Sequence, residues 1–142
     1  MIRLSVPGQL PYRDLVLRVV ASSCKLFCSA RERTQEASHD DFTSQVVSAV
    51  SEVFNNIAIH GYAERTSGNV EIEIEMDDDG IVLRLSDTGQ SFDLGAVPAP
   101  RLDELPESRM GLYIVRSFMD EVSYVPANGS GAPNVLTLSK RY

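Results

Sequence analysis

Positive charge is scarce in this 142-residue chain: 13 lysines and arginines stand against 20 aspartates and glutamates, a formal net charge of −7. Holding nucleic acid through its phosphates needs a basic surface, so direct nucleic-acid binding is not expected. Long apolar runs are also missing. No stretch of about 18 apolar residues occurs, which leaves no transmembrane helix to expect. The opening residues, MIRLSVPGQL, lack the basic, apolar and small-residue plan of a signal peptide, so a cytoplasmic protein with no membrane partner is predicted. Cysteine is limited to Cys24 and Cys28. Two cysteines four apart make no disulfide framework, and without further ligands nearby they make no metal site. They read as small buried hydrophobes on one helix.

What is present is a globular composition, 43% hydrophobic and 23% charged, which excludes a disordered chain. No internal repeat or compositional break divides it, so residues 1–142 read as a single domain. IRLSV alternates as a first strand and stops at Pro7-Gly8. A helix is predicted from Leu10 to about Ser29, with Pro11 in its first turn. RERTQEASHD reads as a loop, after which Asp40 or Asp41 caps a second helix through Phe42, Val46, Val50, Val53, Phe54 and Ile57. That helix ends at His60-Gly61. NVEIEIEM alternates strictly, putting Val70, Ile72, Ile74 and Met76 on one face. Asp79-Gly80 predicts a hairpin turn into IVLRLSD. Residues 91–108, SFDLGAVPAPRLDELPES, carry three prolines and no periodicity, the mark of a functional or mobile segment. Helical spacing returns at Met110, and two strands, SYVP and VLTLS, flank a turn at Asn128-Gly129. The order predicts an α/β two-layer sandwich, its mixed and mostly antiparallel sheet covered by helices on one face.

Within the second helix, Glu52, Asn56 and His60 recur every four residues and share one flank. A solvated flank explains a lone glutamate. It explains a mid-helix asparagine less well, since Asn is a poor helix former. A carboxylate and an amide oxygen one turn apart also suit a base beside a hard cation. SDTGQSFD places Asp87 at a strand end and Gly89 where a ligand can approach bare backbone; taken alone, the stretch fits a plain turn better. In SRMGLYIV, Gly111 falls at a predicted helix start, where free N–H groups favour phosphate.

Together these segments resemble the GHKL (Bergerat) ATP-binding family. E-V-F-N-N-I-A-I-H-G is similar to its N-box, in the form Glu-x3-Asn-x3-His-Gly. D-T-G at 87–89 is similar to the first glycine box, and R-M-G-L at 109–112 to the second. Whole-chain length, the HGY ending and SFMDEV at 117–122 resemble the stand-alone anti-sigma factor serine kinases, the RsbW/SpoIIAB type. The resemblance implies Mg-ATP as cofactor, with Glu52 as general base and Asn56 as magnesium ligand. It implies Asp87 as acceptor for the adenine amine and Gly89 as the point of close approach. Gly111, Leu112 and the following helix would seat phosphates, with Arg109 in reach, under a lid at about 94–110. His60 would touch phosphate or close the helix, and Asn55 is expected to face solvent. The implied partners are a STAS-domain anti-sigma factor antagonist bearing the target serine, a sigma factor, and a second copy in a homodimer. Three features depart from the pattern: Arg109 replaces a glycine, the lid is proline-rich, and SGAPNVLTL stands where relatives carry Gly-Thr. The rival reading is a module that sequesters a partner without phosphorylating it.

Overall fold

Period-two alternation in NVEIEIEM has the consequence it should: Val70, Ile72 and Ile74 are buried, and the glutamates between them point to the other face. A computed structural model describes residues 1–30, 36–62, 68–91, 107–129 and 131–142, with the backbone alone at 36–38 and 107–110. Its elements run β1 (Ile2–Pro7), α1 (Arg13–Ser29), α2 (Glu36–Asn56), β2 (Asn69–Met76), β3 (Gly80–Asp87), α3 (Glu107–Phe118), β4 (Glu121–Val125) and β5 (Asn134–Arg141). The five strands form one sheet in the order β1-β2-β3-β5-β4. All four pairings are antiparallel, and their register sets Leu4 opposite Ile72, Ile72 opposite Leu85, and Leu85 opposite Leu136. One apolar row therefore crosses the sheet. Against it pack Val16, Val20, Cys24 and Phe27 of α1, Val46, Val50, Val53 and Phe54 of α2, and Val115 of α3. α2 lies between α1 and α3, so its flanks meet both neighbours.

Both cysteines are free and buried in this core. Burial, reinforced by Cys28, pushes the Cys24 thiol up to about 12, so it packs as a thiol.

Helix starts differ from the sequence expectation in three places. A 3-10 turn, Leu10–Tyr12, comes first, so α1 itself begins at Arg13 rather than Leu10. α2 begins at Glu36, so Asp40 and Asp41 lie inside it rather than capping it. Glu and Ala at its start are sound helix formers, and a first turn need not show an apolar face. Of the expected loop, residues 31–35 lie outside the described residues. α3 begins at Glu107, three residues before Met110. The expected lid at 94–110 lies mostly outside the described residues.

The Asp79-Gly80 turn is also built differently. Asp77 Oδ1 accepts from the N–H groups of Asp79 (2.8 Å) and Gly80 (2.9 Å), while Asp77 N–H donates to the Gly80 carbonyl (3.1 Å). Among the described residues only Gly129 and Gly131 have left-handed φ, so Gly80 is not there for turn geometry. A Cβ at Gly80 would strike the Lys140 carbonyl oxygen of β5. Gly80→Ala should accordingly lower stability by about 1–3 kcal/mol, the range for overpacking against an unyielding neighbour. Urea unfolding measures this, and an unchanged midpoint would show that β5 moves aside.

The SFMDEV segment joins α3 to the sheet. Lys140 Nζ donates to the Phe118 carbonyl (2.6 Å), Asp120 N–H to Ser139 (2.9 Å), and Arg141 N–H to Asp120 Oδ2 (2.6 Å). Those bonds give the motif a structural reason: it turns the chain from helix end into edge strand.

Candidate functional site

The buried faces of β3 and β5 end together in two polar residues. Asp87 closes β3 and faces Asn134, the first residue of β5. Both are buried, at 5% and 0% exposure. Buried polar groups have to be bonded, and Asn134 uses its full capacity of two donors and two acceptor sites. Its Nδ2 donates to Asp87 Oδ1 (3.1 Å) and to the Gly89 carbonyl (2.9 Å). Its Oδ1 accepts from Ser91 Oγ (2.5 Å) and Ala127 N–H (2.7 Å). Since a backbone N–H can only donate, Ala127 fixes which end of the amide is oxygen. Gly89 N–H adds a second bond to Asp87 Oδ1 (2.9 Å). Among the described residues nothing donates to Oδ2. Burial pushes the Asp87 carboxyl above its usual range, and the bonds from Asn134 and Gly89 pull it partly back.

The end of α2 abuts this node. Past Asn56 the helix widens into one π turn, Ile57–Gly61, closed by Tyr62 N–H on the Ile57 carbonyl (3.0 Å). Such turns are rare and often sit at functional sites. Gln90 N–H donates to the Gly61 carbonyl (2.8 Å), and a Cβ at Gly89 would strike the Gly61 backbone. Gly89 is therefore needed for packing against α2, whatever ligand approaches it.

Glu52 and Asn56 lie one turn apart and are both half-buried; His60, in the π turn, is exposed. Among the described residues neither the Glu52 carboxylate nor the Asn56 amide has a hydrogen-bond or ion-pair partner. Asn55 does not simply face solvent. It is half-buried, and its Oδ1 accepts from Arg13 Nη1 (2.7 Å), tying α2 to the start of α1. Gly111 is the fifth residue of α3 rather than part of its opening turn, so the unpaired N–H groups of that helix belong to 107–110. The absence of a side chain at Gly111 matters elsewhere: a Cβ there would lie 2.6 Å from Glu52 Oε2. Leu112 beside it is buried, and the Arg109 side chain lies outside the described residues.

The structure thus brings Asp87, Gly89 and Gly61 together and sets Gly111 against Glu52. Sequence reasoning missed Asn134. A lone asparagine after Gly-Ala-Pro reads as turn chemistry, and only its place opening a strand could have flagged it.

The donor set suits a purine nucleotide with a hard cation. A carboxylate with one oxygen saturated and the other without a donor among the described residues fits an exocyclic amine. No group of three or more His, Cys, Asp or Glu among the described residues could hold a metal. Magnesium bound through one or two protein oxygens, with phosphates and waters supplying the rest, is compatible with a single Asn56.

Residues 15–140 match the family described as histidine kinase-like ATPase domain. The serine-protein kinase RsbW of Staphylococcus epidermidis is 33% identical over 102 residues, 66% of this chain and 64% of that protein. RsbW of Staphylococcus aureus strain MRSA252 is 29% identical over 137 residues, 90% of this chain and 80% of that protein. The anti-sigma F factor of Clostridium beijerinckii is 32% identical over 100 residues, 68% of this chain and 70% of that protein. The chain thus spans less than two thirds of the Staphylococcus epidermidis relative. Among solved structures, the histidine kinase domain of a blue-light activated histidine kinase from Erythrobacter litoralis has a TM-score of 0.52 at 19% identity, over 70% of this chain and 44% of that one, which shows the shared fold. No helix among the described residues is long and apolar enough to cross a membrane. With the family pattern running from α1 into β5, the chain belongs to the histidine kinase-like ATPase domain family.

Proposed function

We propose that the chain is an anti-sigma factor serine kinase: it binds Mg-ATP, phosphorylates a serine on a STAS-domain anti-sigma factor antagonist, and sequesters a sigma factor. It would work in the cytoplasm as a homodimer and switch between its two partners. The observation that carries this reading is the buried Asp87, with Oδ1 bonded by Asn134 and Gly89 and Oδ2 without a donor among the described residues, set against the π turn that ends the helix bearing Asn56 and Glu52. The relatives' names, serine-protein kinase and anti-sigma F factor, support the kinase and sigma-factor parts of this reading.

When bound, ATP supplies the phosphoryl group and magnesium the positive charge that offsets its developing negative charge. Asp87 Oδ2 would accept from the adenine amine, and Asn56 Oδ1 would hold the metal. Glu52 would orient the attacking serine hydroxyl and take its proton. The unpaired N–H groups at the start of α3, with Arg109, would face the phosphates. His60 is exposed and free to join them.

Calorimetric titration of ATP with and without magnesium, on the parent chain and Asn56→Ala, tests this. Magnesium-dependent binding weakened tenfold or more in the variant is expected. An unchanged dissociation constant removes Asn56 from the metal, and no binding by the parent favours the sequestering module without catalysis.

A further inference from the structure

Tyr62 ends the HGY stretch and has no part in the roles above. Its ring fills a slot between two glycines, Gly8 and Gly68, where an added Cβ on either would strike it. The slot is closed by Gly8 N–H donating to the Gly68 carbonyl (2.8 Å). The phenol oxygen lies 2.9 Å from Thr88 N–H, 2.9 Å from the Asn69 carbonyl and 3.3 Å from Thr88 Oγ1. A phenol has one proton to give. The Asn69 carbonyl can only accept, so the proton goes there and the oxygen accepts from Thr88 N–H.

Thr88 stands between Asp87 and Gly89. The turn is then fixed from two sides: Asn134 holds Asp87, Gly89 and Ser91, while Tyr62 holds Thr88. We infer that Tyr62 is a positioning residue for base recognition, its phenol setting the 87–90 turn so that Asp87 Oδ2 meets the purine amine. The inference rests on the proposed adenine role of Asp87. It also gives the two glycines a purpose, since a side chain at either position would expel the ring. Preorganisation is the physical reason such an anchor matters: a turn already held needs no ordering when the ligand arrives.

Tyr62→Phe keeps the ring in its slot and removes only the oxygen. Competition binding of ATP and GTP to parent and variant, beside thermal melts, reads the difference. GTP has a carbonyl where adenine has its amine, so it cannot use Asp87 in the same way. The variant should bind ATP roughly five- to tenfold more weakly, about the worth of one lost hydrogen bond. Its preference for ATP over GTP should shrink by the same factor. A role confined to stability lowers the melting temperature and leaves the preference alone, which would overturn the inference. So would unchanged ATP binding. A parent chain that binds no ATP sinks the adenine-site reading itself, whereas a parent that binds and a variant that matches it sinks only the part given to Tyr62.

Discussion

Asp87→Asn should weaken ATP binding by roughly a hundredfold while leaving the fold intact, and at neutral pH it should unfold at a higher temperature than the parent. The argument turns on which oxygen does what. Both described bonds to Asp87, from Gly89 N–H and Asn134 Nδ2, end on Oδ1. An asparagine keeps that oxygen and both bonds. It replaces the free Oδ2 with an NH2 group, a donor aimed at the donor amine of adenine. Loss of a bond to a charged acceptor, together with an unpaired donor in its place, amounts to roughly 2–4 kcal/mol. The stability side has the opposite sign. Burial raises the Asp87 carboxyl above its ordinary value, so the native state holds the proton more tightly than the unfolded chain. Its contribution is then fully present below the unfolded value and is lost as pH rises through the folded one. Above that range the buried charge is a standing cost, which the neutral amide removes. The variant's advantage in melting temperature should therefore shrink as pH falls through the raised folded value and be gone below about 4, the ordinary carboxylate range, where Asp87 is protonated in both states. Calorimetry at pH 7 and melts at several pH values measure both effects. Retained ATP binding would end the base-reading role of Asp87. A lower melting temperature at pH 7 would show that its bonds outweigh its burial.

Local periodicity made most of the fold legible. Strict alternation in NVEIEIEM and the three- and four-residue spacing of Val46, Val50, Val53 and Ile57 each declare a buried face, because burial repeats with the geometry of the element. The placing of Glu52 and Asn56 one turn apart on a helix was readable for the same reason, whereas His60 falls in the π turn beyond α2. What stayed hidden depends on neighbours far away in the chain. Asn134 meets Asp87 across the β3–β5 pairing, a relation that no local window contains. Gly80 looks like turn chemistry, but what requires it is the β5 backbone. Asn55 looks solvent-facing until α1 brings Arg13 to it. Gly111 looked like part of a helix's opening turn, because Glu107, Ser108 and Arg109 carry no apolar signal and the periodicity shows only from Met110.

That α3 starts early also bears on catalysis, through Glu52. Glu52→Gln should bind Mg-ATP as the parent does and transfer phosphate to a serine-bearing antagonist at least a hundredfold more slowly. General-base assistance contributes roughly 10²–10⁴ in rate, so the lower end of that range is the minimum expected. The amide is nearly isosteric with the carboxylate, which separates chemistry from packing. Packing is tight toward α3, where the absent side chain of Gly111 leaves room for the carboxylate. Among the described residues no cation or donor holds Glu52, so the substitution strands no partner and should leave the melting temperature nearly unchanged. A structural glutamate would behave differently, with stability and binding falling together and transfer following them. The assay is single-turnover transfer of labelled phosphate from ATP to a STAS-domain antagonist, run beside calorimetric ATP binding. Undiminished transfer in the variant removes Glu52 as the base. If the parent itself transfers nothing but still holds a sigma factor, the sequestering module is the better reading, and Glu52 is then a flank residue of α2 with no chemistry to perform.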